Sequence, residues 1–434
     1  MDILILTHGT RGDVQPFVAL AAALTRAGHS ARLGGPAASA GLAESYGVKF
    51  VPLADGPNEL YGDEAIREVL ETNYRGLRGK RLAMTVAHRY RNKMDAVLDD
   101  IADIAQEGAD VIVHDIVLPG RQLGEWLGIP TVRVCMQPFW IATSALPNPM
   151  HALPLPAAFN RFTYLTTNIW YQILAGHTRR WRTRKLGLDR RGGYLDAIRM
   201  PGGGTTPVLQ AFSAHLLTPP PDDYPSWVHT TGPWLLPAPP GWTPSEELQS
   251  FLAGDGPTVY VGFGSMAGLD PARTGQIISE AVRLAEVRAV LGTGWGGIGA
   301  SPDRDDILPV AEVPHGWLFD QVTAVVHHGG SGTSAAALAA GRPQVVCPFV
   351  LDQPFFGRRI HELGAAPAPL PQRELDAAKL AAAITAAVED RTMASAAQAV
   401  KARILAEGRL DQAVELIEQA AESHRPNVRY LRSG

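Results

Sequence analysis

The sequence is poor in cysteine and contains no long hydrophobic run. Its 434 residues include only two cysteines, Cys135 and Cys347. Each lies in an apolar stretch, so both are predicted to be small core residues in a reducing compartment. The clustered Cys and His spacing of a metal site is absent, and neither a metal nor another cofactor is expected. No apolar run approaches roughly 18 residues, and the opening MDILILTHG lacks a basic start, which together predict a cytoplasmic protein without stable membrane insertion.

The sequence also lacks an excess of positive charge. Its net charge is −4 at pH 7, which argues against a nucleic-acid-binding protein. The hydrophobic share of 46% and the charged share of 19% are typical of a globular protein. At roughly 100–200 residues per domain, the length predicts two or three domains, and a monomer and a homodimer are equally compatible with it.

Short apolar runs alternate with helical patterns in both halves of the chain. The apolar runs are typical of strands that are buried on both faces of a parallel sheet, and the alternation predicts a doubly wound α/β sheet in each half. Two intervening stretches, 55–90 and 138–200, are less regular and rich in aromatic and basic residues. The predicted strands are 3–7, 30–35, 49–53, 110–115 and 130–136 in the first half and 257–265, 288–293, 324–330 and 343–349 in the second.

A proline-dense segment separates the two halves. TPPPDDYPSWVHTTGPWLLPAPPGW cannot sustain a strand ladder and is predicted to be an extended connector. The resulting organisation is a first domain at 1–217, a linker at 218–240, a second domain at 241–409 and a C-terminal helical segment at 410–434 that could pack back on the first domain. The predicted fold is two Rossmann-like, doubly wound parallel-sheet domains that face a central cleft, with ligands beyond the carboxyl ends of the strands.

The strongest local signal is AVVHHGGSGTSAAALAAGRP at 324–343. A buried strand enters a glycine-rich turn and then a helix, so the N–H groups of Ser331, Gly332 and Thr333 should point outward at a positive helix end. His328 adds a further donor. This geometry suits a diphosphate, although an ordinary strand–helix turn is the alternative. No GxxxxGK[ST] pattern is present, so the turn is not a Walker A loop.

Two further loops follow predicted strands of the second half. VGFGSMAG fits G-x-G-x-x-A and could bring Ser265 to a phosphate, but the acidic residue that a dinucleotide site needs at the next strand is missing. In FVLDQPFFG, the Asp352 carboxylate and the Gln353 amide offer acceptors and donors that suit sugar hydroxyls. A helix N-cap at Asp352, with Pro354 in the first turn, is the alternative.

The segment THGTRGDVQP places Asp13 between the first strand and the first helix. A carboxylate there could accept a proton from an attacking hydroxyl. A helix cap is the alternative interpretation of Asp13, and His8 is a rival base. Asp115, at the end of another predicted strand, could orient the base or cap a loop.

Aromatic residues concentrate in the irregular part of the first half. Aromatic side chains that line a pocket suit a flat apolar acceptor, with ordinary core packing as the alternative. The strongly basic run HTRRWRTRKLGLDRR at 177–191 is predicted to be a solvated helix face, with a membrane-surface contact as the lesser alternative. The candidate acceptor residues are Phe139, Trp140, Phe162 and Trp170, with Phe159, Tyr164 and Tyr171 in the same segment.

Together these segments resemble the nucleotide-sugar glycosyltransferases of the GT-B fold, inverting family 1. The resemblance covers most of the chain and is most specific in EVPHGWLFDQVTAVVHHGGSGTSAAALAAGRPQVVCPFVLDQPFFG. The nearest patterns are those of bacterial natural-product enzymes, including the vancomycin group, and of sterol glucosyltransferases, to which GTRGDVQPFVALA is also similar.

The resemblance implies a role for each matching position. Asp13 matches the general base of the vancomycin-type enzymes, and Asp115 matches the aspartate that orients a histidine base in plant-type members. Ala336 stands where plant relatives hold the ribose with Glu, so the ribose contacts differ here. The positions implied to bind the donor are Arg11, Gly12, Thr231, Trp234, Ser265, Val313, His315, His328, Gly330, Ser331, Gly332, Thr333, Asp352 and Gln353.

The expected activity is a metal-independent direct displacement that inverts the anomeric carbon. The donor is expected to be UDP-glucose first and a dTDP-deoxysugar second. The acceptor is expected to be a natural product, a sterol or a polyketide-like molecule, as in antibiotic biosynthesis. The alternatives are a non-catalytic auxiliary partner on the same fold, a sugar-nucleotide epimerase and, because the acidic residue is missing, the less favoured nicotinamide dehydrogenase.

Overall fold

The structure is a computed structural model with side chains. It describes residues 1–62, 76–150, 155–174, 178–189, 206–264, 270–294, 304–407 and 410–424.

The first half of the chain forms a seven-stranded parallel sheet. Its order is β3-β2-β1-β4-β5-β6-β7, so the chain winds outward from β1 and then continues on the other side from β4. Every pairing is parallel, which confirms the predicted doubly wound sheet. The strands are β1 (Asp2–Leu6), β2 (Ser30–Pro36), β3 (Lys49–Leu53), β4 (Val111–Asp115), β5 (Thr131–Cys135), β6 (Val208–Gln210) and β7 (Val228–Thr230).

Helices cover this sheet. The first helix buries Val14, Phe17, Leu20 and Leu24 on one face, and Gly28, with a φ of 88°, follows its end. These helices are α1 (Arg11–Arg26), α2 (Ala40–Glu44), α3 (Gly76–Gln106), α4 (Gly120–Leu127), α5 (Asn160–Thr163), α6 (Leu165–Leu174) and α7 (Thr178–Leu186).

The second half forms a five-stranded parallel sheet in the order β10-β9-β8-β11-β12. Its core packs apolar strand residues against helices on both faces. The strands are β8 (Thr258–Gly262), β9 (Arg288–Gly292), β10 (Ile307–Val310), β11 (Ala324–His327) and β12 (Gln344–Val346). The helices are α8 (Glu246–Leu252), α9 (Pro271–Leu284), α10 (His315–Gln321), α11 (Ser331–Ala340), α12 (Gln353–Glu362), α13 (Ala377–Glu389) and α14 (Arg391–Ala406).

A last helix, α15 (Leu410–His424), packs against α1 of the first sheet. Its residues Ala413 and Ile417 are fully buried. Glu418 pairs with the His29 ring, with 2.8 Å between Oε1 and Nε2. The C-terminal helix thus contributes to the core of the first half.

The chain folds into two compact units. Unit 1 comprises Met1–Glu59, Ala87–Trp234 and Gly408–Gly434, and unit 2 comprises Leu60–Val86 and Leu235–Glu407.

The structure differs from the sequence prediction in two regions. Residues 218–234 belong to unit 1 rather than to a linker, because β7 adds a strand to the first sheet beside β6. The stretches predicted to be irregular contain the first half of the 31-residue helix α3, whose second half was predicted near 92–106, and the helices α5, α6 and α7. None of the described helices has the length and apolarity needed to cross a bilayer.

Candidate functional site

The turn between β11 and α11 presents an uncapped helix end. Gly329 turns the chain with a φ of 87°, and Gly330 is the N-cap of α11 without a side-chain capping bond. The N–H groups of the first helical turn have no carbonyl one turn earlier, so they are available to a ligand. A Cβ added at Gly332 would meet nothing within 4 Å. The turn therefore offers open backbone donors at the positive end of a ten-residue helix.

The His328 ring lies beside this helix end. A Cβ at Gly330 would come within 2.5 Å of its Nε2, and one at Gly264 within 3.4 Å of its Cε1, so both glycines make room for the ring. Burial lowers the pKa of His328 to about 4, and the hydrogen bond with the Gly262 backbone opposes this shift. The buried Nδ1 of His328 and the buried hydroxyl of Ser334 have no hydrogen-bond partner among the described residues. The Ser334 hydroxyl could donate to a bound anion, and Nδ1 of His328 could do so once the ring is protonated.

His327, which the sequence analysis did not single out, holds the turn from inside the protein. It is fully buried, and its Nδ1 accepts a 3.0 Å hydrogen bond from the Gly329 N–H. Its Nε2 lies 2.7 Å from Oε1 of Gln344 and must donate to it. Burial, and then the neighbouring His328, lowers the pKa of His327 to about 3, so the ring stays neutral. Only strand alternation marked this histidine as inward-facing in the sequence.

Asp352 and Gln353 follow β12 at the start of α12. Asp352 is the N-cap residue of α12 and Pro354 lies in its first turn, as the alternative predicted, but the Asp352 side chain makes no capping bond. Gln353 is buried, and its Oε1 accepts from the N–H groups of Phe349 and Val350 at 2.8 and 3.2 Å. Only the Nε2 group of Gln353 therefore remains for a ligand, whereas the sequence predicted that both the oxygen and the nitrogen of the amide could contact sugar hydroxyls. Leu351, directly before Asp352, has a φ of 59°, a strained backbone conformation that is typical of functional loops.

His315 begins α10 and belongs to an aromatic stack. Its ring lies parallel to that of Phe319, with centroids 4.5 Å apart, and its Nε2 is 3.4 Å from the Tyr260 hydroxyl. Val313 packs against the same core cluster. Both residues thus belong to unit 2, together with the turn at 328–333.

In unit 1, the Asp13 carboxylate is part of the N-terminal cap of α1. Its Oδ2 accepts from the Thr10 N–H at 2.7 Å and from the Thr10 hydroxyl at 3.0 Å. Gly9 is required at the preceding turn because a Cβ there would lie 2.3 Å from this oxygen. Burial raises the pKa of Asp13, and the two hydrogen bonds from Thr10 oppose the shift. Asp13 therefore caps α1, as the alternative interpretation predicted. Because both hydrogen bonds use Oδ2, the Oδ1 atom of Asp13 remains available to other partners.

Asp115 ends β4, and His8 lies two residues beyond the end of the neighbouring strand β1. Burial raises the pKa of Asp115 to about 7, against a hydrogen bond from the Val117 N–H, and the charge of Asp13 raises it further. The His8 Nε2 lies 3.1 Å from the Ala54 carbonyl oxygen and donates to it, while burial lowers the pKa of the ring. The register of β1 and β4 brings these strand ends to the same edge of the sheet.

Tyr90 on α3 joins this group, although the sequence analysis missed it. Burial raises the pKa of its phenol to about 12, and the charges of Asp115 and Asp13 act in the same direction. A neutral phenol near two carboxylates is a hydrogen-bond donor to either of them. No spacing pattern in the sequence links Tyr90 to Asp13 and Asp115, because its position beside them depends on how the long helix α3 packs.

The remaining predicted donor residues of unit 1 are engaged within that unit. Thr231 and Trp234 are buried, and the Trp234 indole donates to the Thr231 hydroxyl at 3.0 Å. Trp234 also packs edge-on against Phe17 of α1, with centroids 6.1 Å apart. Arg11 donates to the Gln15 side chain at 3.3 Å. Gly12, in the first turn of α1, is exposed.

The predicted acceptor aromatics separate into two groups. Trp140 contacts Phe139 at 5.3 Å and packs edge-on against Tyr171 at 6.2 Å between centroids. Phe159 and Phe162 contact each other but are 51% and 66% exposed. The structure therefore brings Phe139 and Trp140 together and leaves Phe162 on the surface.

A polar network fixes the inner group. Asn148 donates to the Thr167 hydroxyl at 2.6 Å, and that hydroxyl donates to the Phe139 carbonyl at 3.0 Å. Nearby, Asp223 accepts from Thr143, Ser144 and Arg161, which lowers its pKa to about 2. Tyr164 is buried, and its hydroxyl donates to the Leu146 carbonyl, so it acts as a core residue.

Two predicted site groups, Ser265 and the side chain of Trp170, lie outside the described part of the chain. Within that part, no group of three or more His, Cys, Asp or Glu side chains could hold a metal ion.

Two known domain families match this chain. Residues 3–113 match the glycosyltransferase family 28 N-terminal domain. Residues 297–419 match the erythromycin biosynthesis protein CIII-like C-terminal domain. The second match includes the turn at 328–333 and the residues Asp352 and Gln353.

Curated relatives are sterol 3-beta-glucosyltransferases of fungi. The protein of Penicillium rubens is 35% identical over 383 residues, which are 84% of this chain and 26% of that protein. The protein of Emericella nidulans is 32% identical over 440 residues, which are 97% of this chain and 30% of that protein. The chain thus spans less than a third of the length of these relatives.

Solved structures share the fold over nearly the whole chain. The glycotransferase of kitacinnamycin covers 96% of this chain and 98% of its own, with a TM-score of 0.67 and 19% identity. The calicheamicin glycosyltransferase CalG4 covers 98% and 100%, with a TM-score of 0.66 and 17% identity. The glycosyltransferase VinC, solved with dTDP, covers 98% and 100%, with a TM-score of 0.64 and 20% identity.

Proposed function

Because the chain belongs to the family 1 glycosyltransferases of the GT-B fold, we propose that it transfers a sugar from a nucleoside diphosphate to a hydroxyl of an apolar acceptor. Glucose from UDP is the first candidate donor, and the names of the fungal relatives support glucose as the sugar. A dTDP-linked deoxysugar is the second, in line with a structural neighbour that was solved with dTDP. The proposed acceptor is a sterol or another apolar molecule with a free hydroxyl.

The observation that carries this proposal is the uncapped start of α11. The N–H groups of Ser331, Gly332 and Thr333 have no carbonyl partner one helical turn earlier, and the space beside the Gly332 Cα is open. His328 and Ser334 present buried polar atoms that lack partners among the described residues. A diphosphate supplies negative oxygens for all of these groups. The neutral ring gives its one N–H to the Gly262 backbone, so Nδ1 becomes a donor to the diphosphate when the ring is protonated, and a bound dianion would favour this by raising the pKa of His328.

The proposed reaction is a single displacement at the anomeric carbon. Asp13 takes the proton of the acceptor hydroxyl, and the acceptor oxygen bonds to the anomeric carbon. The bond from that carbon to the diphosphate oxygen breaks, and its electron pair leaves with the nucleoside diphosphate. One displacement inverts the configuration, so an α-linked donor gives a β-linked product.

Asp13 suits the role of base better than His8. Burial raises the pKa of Asp13, which makes the ionised carboxylate a stronger base. The His8 ring is engaged with Ala54, and burial lowers its pKa, so it takes up a proton less readily. Asp115, with a pKa of about 7, would hold a proton part of the time and thereby limit repulsion with Asp13.

Fixed dipoles meet the charge of the leaving group in this proposal. The N–H groups of α11 and the His328 ring face the departing diphosphate without reorganisation. We therefore expect turnover without an added metal ion. Turnover that falls to background in a metal chelator and returns with a divalent cation would contradict this part of the proposal.

The acceptor would lie along the aromatic group of Phe139, Trp140 and Tyr171. The Trp140 ring is tilted against that of Phe139 and perpendicular to that of Tyr171, and the three rings form an apolar wall that suits a flat molecule. The Trp140 Nε1 is buried without a partner among the described residues, which provides a donor for one acceptor oxygen.

The two cysteines are buried and free, which supports a reducing location such as the cytoplasm.

A product assay tests the proposed function. The purified chain is incubated with UDP-glucose or a dTDP-sugar and a sterol, and the products are analysed by mass spectrometry and by NMR of the anomeric proton. The expected result is a β-linked adduct of one sugar and one acceptor. A converted donor without acceptor would favour an epimerase, and the absence of donor binding in calorimetry would favour a non-catalytic partner.

A further inference from the structure

An exposed apolar row runs along helices α5 and α6 of unit 1. Phe159, Phe162, Leu165 and Ile169 recur at helical spacing and are 51%, 66%, 54% and 60% exposed. Soluble helices normally point such side chains toward a core and keep polar residues outside. Four large apolar side chains in one exposed row therefore indicate a surface that another apolar phase covers.

The opposite face of α6 is committed to the aromatic group. Thr167 is buried and donates to the Phe139 carbonyl, while Tyr171 is buried against Trp140. The helix carries no charged residue on either face. Its inner side thus builds the proposed acceptor wall, and its outer side, with Leu165 and Ile169, remains open.

The segment that carries the row is basic. From Leu155 to Leu188 the sequence contains six Arg and Lys residues and no Asp or Glu. Four of these cations pair with carboxylates outside the segment, which leaves Arg179 and Arg180 as its excess of positive charge. Arg161 lies within the row and is 56% exposed, and Arg179 of α7 donates to Gln172 of α6.

From these features we propose that the row is a docking surface for a lipid bilayer that contains anionic lipids. Apolar side chains would enter the boundary between headgroups and acyl chains, and the cations would face the phosphates. The purpose of such docking rests on the proposed function, since an apolar acceptor dissolved in the bilayer would enter beside Trp140. The binding itself does not depend on that function.

Vesicle sedimentation tests the surface without donor or acceptor. The full chain is mixed with vesicles of phosphatidylcholine alone or with phosphatidylglycerol added. We expect binding that is stronger with phosphatidylglycerol and weakens with salt. Leu165→Asp and Ile169→Asp should each weaken binding roughly tenfold, because a charge replaces an apolar group at the interface.

A matched control separates this surface from exposed apolar residues in general. Leu284, at the end of α9, is 45% exposed, and Leu284→Asp should leave vesicle binding unchanged. Equal loss in Leu284→Asp and Ile169→Asp would overturn the proposal, as would a wild-type chain that stays in the supernatant with both vesicle types. A dimer that Ile169→Asp converts to a monomer, without vesicle binding, would identify the row as a subunit interface instead.

A pair of activity assays keeps this proposal separable from the proposed function. Ile169→Asp should retain transfer to a water-soluble acceptor and lose most transfer to an acceptor embedded in vesicles. Equal activity of wild type and variant in both formats would contradict a role for docking. If neither acceptor is glycosylated by the wild type, the proposed function fails, while the sedimentation result still decides the docking surface.

Discussion

Two side chains carry the proposed chemistry at the scale of the residue. Asp13 belongs to a helix cap, yet both of its hydrogen bonds use the same oxygen. His328 is neutral and has a buried nitrogen without a partner among the described residues. Each residue therefore combines a structural contact with an atom that remains available to a substrate.

Asp13→Asn should lower turnover by roughly 10²–10⁴, the usual contribution of a positioned base. The Asn side-chain oxygen can still accept from Thr10, so the cap of α1 and the melting temperature should change little. Donor affinity in calorimetry should also survive, because no part of the diphosphate site is altered. Turnover near the wild-type value would exclude the base role of Asp13.

Donor affinity should depend on pH through His328. The pKa of the free ring is about 4, and a bound diphosphate would raise it, so binding takes up protons. Affinity for UDP-glucose should therefore increase as the pH falls from 7 toward 5, and His328→Gln should abolish this dependence. The sugar nucleotide is the correct ligand because its phosphates do not titrate in this range. The same slope in wild type and His328→Gln would contradict the assignment.

At the scale of the element, the decisive structure is the turn between β11 and α11. A buried hydrogen-bond chain from Gly329 through His327 to Gln344 fixes it. The conformation of Gly329 in turn sets the direction in which the first N–H groups of α11 point. The donor site thus depends on a residue that faces away from it.

Substitutions of His327 should separate the role of the turn from simple core stability. His327→Asn can still accept from Gly329, whereas His327→Gln reaches toward Gln344 and loses the Gly329 bond. An unsatisfied buried group costs about 1–3 kcal/mol, so both variants should be less stable. Donor affinity in calorimetry should fall roughly tenfold in His327→Gln and much less in His327→Asn. Parallel losses of affinity and stability in the two variants would indicate a structural role only.

The sequence predicted regular elements better than side-chain partners. The strand at 49–53 has the predicted bounds, because alternation and flanking glycines mark it locally. The strand β7 was hidden among prolines, since three residues suffice to pair with β6 once the sheet exists. The helix α3 was predicted only near 92–106, because the polar, basic composition of its first half hid its start at Gly76.

The same limit applies to the candidate site. A glycine-rich turn after a buried strand is a local residue pattern, so the start of α11 could be predicted from the sequence. The commitment of the Gln353 oxygen to backbone N–H groups and the arrival of Tyr90 beside Asp115 depend on tertiary packing. Such contacts join residues that are distant in sequence or depend on a backbone conformation, and no residue pattern encodes them.

At the scale of the whole molecule, the two units differ in how they bind protons. In unit 2, His327 and His328 have pKa values of about 3 and 4, well below the unfolded value of about 6.5. The unfolded unit therefore binds more protons below pH 6.5. In unit 1, the lowered pKa values of His8, His114 and His229 act in the same sense, but the raised pKa values of Asp13 and Asp115 act in the opposite sense.

Acidification should therefore destabilise unit 2 more than unit 1. Between pH 6.5 and 4, each neutral buried histidine lowers the unfolding free energy by up to about 1.4 kcal/mol per pH unit. Peptide-resolved hydrogen exchange at pH 7 and pH 5, corrected for intrinsic rates, should show a larger loss of protection in β11 and β12 than in β1 and β4. Equal changes in the two sheets would refute this expectation, and His328→Gln should reduce the loss in unit 2.

The account of the molecule depends on where the donor's phosphates bind, and a crystal structure of the chain with UDP measures this directly. The expected result is a pyrophosphate within hydrogen-bond distance of the N–H groups of Ser331, Gly332 and Thr333 and of the His328 ring. A pyrophosphate bound elsewhere, or a start of α11 that is covered by protein, would contradict the account.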